Sequence, residues 1–319
     1  MGGRYRLVTK SDFDGLVCGM LLKELGLLES VAFVHPKDVE SGKFKVTAGD
    51  ITAGLPYQDD AHLAFDHYPS AHKPAVDKHN LKVDTRAPST ARVIFNHYGA
   101  ERFAGIHDDI LDAVDKGFSA RIASEEILYP TGWTLLSYLI DTRTGLEQFK
   151  RFRASHDELI VELMDEAKRR TVWELLSIPD VEERLELYFA CIDEYKGQIL
   201  RCASVHSNLV LTDMRQEERI VPGNKFMTYA LFPECNVSMH VSSTGKSGRA
   251  FFAAGKSVLD RTCPLDIGSI MKRYGGGGHA GAGACHAEHE IAEQVRAGLL
   301  NDLQCGFFEN LWMGYYNYF

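Results

Sequence analysis

The sequence predicts an α/β protein: an N-terminal domain built on a doubly wound, mainly parallel sheet, then a smaller mixed α/β domain. Three observations predict it. Short apolar runs alternate with helical patterns through the first third of the chain, as strands joined by crossover helices do. The middle is helical, and strand patterning returns only in the last third. Several early strands end on acidic residues, and open α/β sheets keep their ligands beyond the carboxyl ends of their strands. A chain of 319 residues has length for two domains.

The first element is the strand-like "RLV", followed at residues 8–17 by "VTKSDFDGLV". Asp12 and Asp14 sit one residue apart, a spacing that aims both carboxylates to one side of an extended chain. In the middle of a strand that would bury two charges; at a strand's end it points them into open space. The helix "LVCGMLLKELG" follows, with Leu16, Met20, Leu21 and Leu25 on one stripe. Two readings fit this turn taken alone. It is a metal or phosphate-metal site, or it is an Asp N-cap beside a solvated Asp.

Further along, "VAFVHP" reads as a buried strand and "KFKVTAGDITAGLPY" as a strand ending at Gly49–Asp50. "AHLAFDHYPS" reads as a strand ending at Asp66–His67. "APSTARVIFNHYG" reads as a helix capped by Ser/Thr, with Ala91, Ile94, Phe95 and Tyr98 at helical spacing. Helical patterns fill about Glu125 to Lys196. The boundaries expected from this pass are 1–150 for the first domain, 151–196 for a helical connector and 197–319 for the second domain. In the latter, "NLVLTDM", "KFMTYALFP", "NVSMHVSS" and "RAFFAAG" read as strands, before "DIGSIMKRYGGGGHAGAGAC" and a last helix, "EHEIAEQVRAGLL".

Composition narrows the function. Seven scattered cysteines without a CxxC pair indicate reduced thiols and argue against a disulfide framework or zinc knuckle. No run approaches a membrane span and no signal peptide precedes the first strand, so a cytoplasmic location is expected. A net charge of −9 argues against a preference for long duplex nucleic acid, though not against a small anionic substrate. The aromatic tail "GFFENLWMGYYNYF" suits packing on a core or on a second subunit, which hints at a homodimer.

Two stretches carry chemistry. Asp12, Asp14, Asp50, Asp66 and His67 are hard oxygen donors plus one imidazole, a set that suits Mn²⁺ or Mg²⁺ better than zinc. A carboxylate can bridge two such ions ~3.5–4 Å apart, the arrangement used for in-line attack on phosphorus. Each Asp alone reads as a turn residue; as a set on successive strand ends they favour metal. In "YGGGGHAGAGAC", the run of glycines removes every Cβ, so backbone amides can approach an anion, and His279 can hydrogen-bond a phosphate. The stretch lacks the Gly-Lys-Ser/Thr of a Walker loop.

Together, "SDFDG", a lone Asp after a second strand, "DHY" in place of Asp-His-His and a distal "GGGGH" resemble the DHH phosphoesterase superfamily with its DHH-associated domain. That group holds RecJ-type exonucleases, nanoRNA and cyclic-dinucleotide phosphodiesterases and exopolyphosphatases. The ordered motifs span residue 5 to about 300. The resemblance implies an active site in the cleft between the two domains and one or two Mn²⁺ or Mg²⁺ ions. It matches Asp12 and Asp14 to the first motif, Asp50 to the second and Asp66–His67 to the third. It implies Asp115 as the fourth-motif ligand, with Asp141 as rival. It nominates Ser238 and His240 in "NVSMHV", and Gly276, Gly277, Gly278 and His279 in the glycine motif, for substrate contact.

The chain departs from the family at three positions. Lys10 stands where a His usually precedes the first Asp; an ammonium cannot ligate metal, but can meet a phosphate. Tyr68 replaces the second His of the third motif, keeping a hydrogen bond and losing a charge. His240 stands where Arg is expected. The implied function is a divalent-metal-dependent phosphodiesterase that releases mononucleotides from short oligonucleotides or dinucleotides by attack of activated water. The alternatives are an exopolyphosphatase and an inactive phosphate-ligand binding protein.

Overall fold

The computed structural model describes residues 3–67, 78–119, 121–244 and 248–304. The aromatic tail and Tyr68 lie outside them. The chain divides into one unit of residues 1–121 and 130–189 and a second of 122–129 and 190–319. The stretch expected as a connector is therefore shared out: its first part belongs to the first unit, and the helix Pro179–Cys202 begins in one unit and ends in the other.

The first unit holds a five-stranded sheet, β1 (Tyr5–Thr9), β2 (Leu28–Phe33), β3 (Asp50–Ala53), β4 (Leu63–Asp66) and β5 (Leu81–Val83), in the order β2-β1-β3-β4-β5. Every pairing is parallel. The central strands β1, β3 and β4 are covered, hence their apolar runs; the edge strand β2, which takes in the start of "VAFVHP", is only partly buried, not the buried strand expected. Leu7, Val8, Ile51 and Phe65 are fully buried; each contributes roughly 1.5–3 kcal/mol of hydrophobic stabilisation. From β1 the chain first goes to β2 on one side and later to β3 on the other. The β1/β3 boundary is thus the topological switch point, where such sheets open a crevice.

Helix Phe13–Glu24 is buried from Phe13 to Leu22, so it carries the expected stripe and more. Helix Thr90–Tyr98 starts as its cap residues predict, with Ser89 Oγ accepting from the Arg92 amide. One strand end differs from expectation. Asp50 opens β3 rather than closing a strand, because the apolar residues that pair with β1 and β4 are Ile51–Ala53, after it.

The second unit contains a six-stranded sheet of β6 (Ala203–His206), β7 (Leu209–Asp213), β8 (Val237–Thr244), β9 (Arg249–Lys256), β10 (Gly277–His279) and β11 (Ala282–Ala287), ordered β10-β11-β9-β8-β7-β6. Only β7–β8 is parallel among its pairings. Val237, Met239, Val241, Phe252, Ile267, Met271, Leu299 and Leu303 share its core. "KFMTYALFP" is not a strand: Met227–Leu231 is a helix, preceded by a turn in which Asn224 Oδ1 accepts from the Phe226 amide. A short apolar run looks alike as strand or helix, and burial of Met227, Thr228 and Tyr229 within one turn decided it. The six described cysteines are free, and no helix among the described residues is long and apolar enough to cross a membrane.

Candidate active site

The carboxyl ends of β1, β3 and β4 bring together Lys10, Asp12, Gly54, Asp66 and His67. Asp12 is the N-cap of helix Phe13–Glu24, its Oδ1 accepting from the Gly15 amide at 2.9 Å, while Oδ2 lies 3.1 Å from Lys10 Nζ. Burial pushes the Lys10 ammonium down, but Asp12 and Asp14 more than offset that and leave it raised. The turn before the helix is held from outside: Ser11 Oγ donates to Asp157 at 2.7 Å, and His156 Nε2 lies 3.1 Å from the Ser11 carbonyl.

Asp14 is buried, not solvated. Its Oδ1 accepts from the Ala91 amide at 2.8 Å and its Oδ2 from the Thr90 amide at 3.1 Å, so it sits on the N-terminus of helix Thr90–Tyr98. Burial, then the neighbouring Asp12, pushes its carboxyl up to about 6, against the pull of Lys10 and those amides. The same Thr90 reaches His67: its Oγ1 is 2.8 Å from Nδ1. Burial lowers the His67 pKa, opposed by Asp66, and Lys10, Asp12 and Asp115 lie within its electrostatic reach. Asp66 Oδ1 accepts from the His67 amide at 2.8 Å.

Asp50 does not join this group. It stands at the opposite, N-terminal edge of the sheet, about 13 Å back along β3 from Gly54 at ~3.3 Å per residue. Arg6 Nε and Nη2 grip its two oxygens at 2.7 and 3.0 Å, and the Thr47 amide and hydroxyl complete the cage at 2.7 and 2.9 Å. Burial would raise its pKa, but the Arg6 and Thr47 bonds outweigh that and leave it lowered. The expectation of Asp50 as a metal ligand is therefore corrected: its oxygens are committed to a structural cage away from the crest.

Between the fourth-motif rivals, Asp115 lies on the site's side, accepting from Ser89 Oγ at 2.6 Å and from Arg92 Nε at 2.7 Å. Asp141 has another job, holding Arg143 through Nε and Nη2 at 2.7 Å each. Arg143 is within electrostatic reach of Asp12 and Lys10. The local Asp-x-Arg spacing builds this paired guanidinium on a short turn, Thr142–Thr144, that Asp141 caps.

In the second unit the glycine run turns at Gly275 and enters a strand at Gly277 rather than forming a wrapping loop. β10 is the edge of its sheet, joined to β11 by a tight turn, with His279 Nδ1 accepting from the Gly281 amide at 3.1 Å. A Cβ on Gly276 would come within 2.0 Å of the Ala284 carbonyl, whereas one on Gly277 would meet open space. Close packing, as expected, explains part of the glycine content, and exposed backbone the rest. Ser238 is buried, its Oγ sharing a 2.8 Å hydrogen bond with Tyr229 Oη. His240 lies 3.5 Å from Thr228 Oγ1, and burial pushes its pKa down to about 4. A histidine held neutral in this way lacks the charge that the Arg expected at this position would bring.

Among the described residues no three His, Cys, Asp or Glu side chains form a preassembled metal cage. The donor chemistry nevertheless fits one divalent ion. Thr90 holds Nδ1 of His67, the second bond a metal-ligating imidazole needs, so Nε2 would be the nitrogen left to face an ion, with Asp12 and Asp66 as hard oxygen donors near it. It does not fit two: Asp50 is elsewhere, Asp14 is spent on backbone amides, and Asp115 on Ser89 and Arg92.

A parallel sheet with an acidic, histidine-bearing crest, followed by a glycine-edged mixed sheet, defines a phosphoesterase of the α/β class. The chain is 44% identical to the pGpG-specific phosphodiesterase PggH from Vibrio cholerae, over 95% of this chain and all of that one, with a TM-score of 0.82. It belongs to the DHH phosphoesterase superfamily. Two looser likenesses are the manganese-bound exonuclease RecJ (15% identity, 93% of this chain and 89% of that one, TM-score 0.48) and RecJ with Mn²⁺ from Thermus thermophilus (14%, 93% and 51%, TM-score 0.47). No family model matches the sequence. No curated protein matches it either.

Proposed function

We propose that the protein hydrolyses a linear dinucleotide of the pGpG type to mononucleotides, using a divalent ion, Mn²⁺ or Mg²⁺. The observation that carries this reading is the 44% identity to a pGpG-specific phosphodiesterase along that enzyme's whole length. Asp12, Asp66 and His67 would hold the ion, which when bound supplies Lewis-acid charge to the phosphoryl oxygens and activates water. The chain's own residues do the rest. Thr90 fixes the His67 ring, and the Asp66 bond to the His67 amide fixes the backbone beneath it. Lys10 balances charge that develops on the phosphoryl oxygens. Arg143, braced by Asp141, meets a further phosphate. In the second unit, Gly277, Gly278 and His279 are the proposed substrate contacts. Free cysteines support a cytoplasmic setting.

The test is mononucleotide release from pGpG and from a short oligoribonucleotide, and phosphate release from polyphosphate, each with Mn²⁺, with Mg²⁺ and with chelator. GMP from pGpG, lost with chelator and in Asp66→Asn, is expected. Phosphate from polyphosphate alone would replace this reading with an exopolyphosphatase. Binding of pGpG without turnover would make the chain a ligand-binding protein.

A further inference from the structure

Lys10 and Gly54 occupy matching places at the switch point, each the first residue beyond its strand, β1 and β3. They are built for one another. Gly54 has φ +63°, and a Cβ there would lie 3.2 Å from Thr90 Oγ1, 3.5 Å from Lys10 Cε and 3.9 Å from Asp14 Oδ2. A side chain at 54 would be strained by that φ, would crowd Thr90 Oγ1, and would start in van der Waals contact with the lysine methylenes. The Lys10 ammonium then reaches Asp12 Oδ2 at 3.1 Å, between that carboxylate and the buried Asp14.

We propose that Lys10 is the second cation of this site: its ammonium, lying across the space that Gly54 leaves open, supplies the charge a second metal ion would bring. The inference rests on the metal-dependent phosphodiesterase reading above. Charge supports it. The Lys10 ammonium stands 3.1 Å from Asp12 Oδ2, so one carboxylate of the acidic turn already has a cation beside it. Donor supply supports it too, since the carboxylates that could complete a second coordination sphere are held by Arg6, Arg92 and backbone amides. An ammonium needs no such sphere. It asks for room along its methylenes and one anchoring oxygen.

Calorimetric titration of the full chain with Mn²⁺, checked by the electron paramagnetic resonance of unbound Mn²⁺, tests this alongside pGpG turnover. Wild type is expected to take up one ion. Lys10→Gln removes the charge and keeps a polar side chain one atom shorter, and should still take up one, bound on the order of tenfold more tightly because a charge repelling it is gone. Lys10→His with Gly54→Asp adds two ligands, Asp being tolerant of a left-handed φ, and should raise the uptake to two. Two ions on wild type, or Lys10→Gln with unchanged affinity, would overturn the inference and leave the phosphodiesterase reading standing. No ion on wild type or on either variant would overturn both the metal reading and the inference.

Discussion

Thr90 joins two parts of the site at once: its hydroxyl lies 2.8 Å from Nδ1 of His67, and its amide donates to Asp14 at 3.1 Å. The first bond sets the imidazole and the second ties the helix to the acidic turn. They are separable, because one uses the side chain and the other the backbone.

Thr90→Val removes the hydroxyl and keeps the amide and the branched shape. Orienting partners of ligating histidines are worth 10–100-fold in metal affinity or activity. A fall of about that size in pGpG turnover and Mn²⁺ affinity is expected, with thermal stability close to wild type. A variant with wild-type kinetics would show that the His67 ring does not depend on Thr90.

Asp50→Asn should behave as a stability mutation. It leaves the Arg6 guanidinium and the two Thr47 donors facing a neutral amide, a loss on the order of 1–3 kcal/mol. Denaturant unfolding should report that loss, while turnover per folded molecule stays near wild type. Abolished turnover in a folded protein would return Asp50 to the catalytic set.

His240 predicts an acid dependence. Its folded pKa is pushed down to about 4, against ~6.5 in an unfolded chain. Between those values the unfolded state binds the proton first, so stability is fully present above about pH 6.5 and falls as pH drops toward 4. The total is no more than about 3 kcal/mol, reduced by the partial exposure of the ring. His240→Gln should flatten this slope in unfolding curves taken between pH 7.5 and 4.5; an unaltered slope would assign the dependence to other groups.

The glycine edge separates packing from exposure. Gly276→Ala drives a methyl into the Ala284 carbonyl, 2.0 Å from the new Cβ, and should destabilise the second unit by about 1–3 kcal/mol. Gly277→Ala, one residue on, points into open space and should stay within ~0.5 kcal/mol of wild type. Thermal melts of the two variants would check the contrast.

Much of this was legible in the sequence because the signals were local. The strand, acidic turn and helix at "VTKSDFDGLV" follow from periodicity and an Asp cap, and Asp12 is indeed that cap. Helix Thr90–Tyr98 follows from Ser89 in the same way. What was not legible depends on partners far along the chain. A strand of four residues does not reveal whether its Asp opens or closes it, and Arg6, 44 positions away, decided that Asp50 is structural. Asp14 read as a metal ligand, or in the turn taken alone as a solvated Asp, because nothing near it in sequence announces the amides of Thr90 and Ala91 that its oxygens accept from. The fit of Lys10 over Gly54 joins residues from separate strands, and neither identity hints at the other.

The clamp on Ser11 bears on where the first unit can be shortened. A form ending at residue 150 would keep Lys10, Asp12, Asp66, His67 and Asp115 in order, with every other motif residue of the first unit. It would lack His156 and Asp157, which hold the Ser11 carbonyl and hydroxyl. The acidic turn would then be tethered only at its strand and helix ends. The smallest piece worth expressing as a stand-alone catalytic unit therefore runs past the last motif aspartate and takes in the whole of helix His156–Glu166.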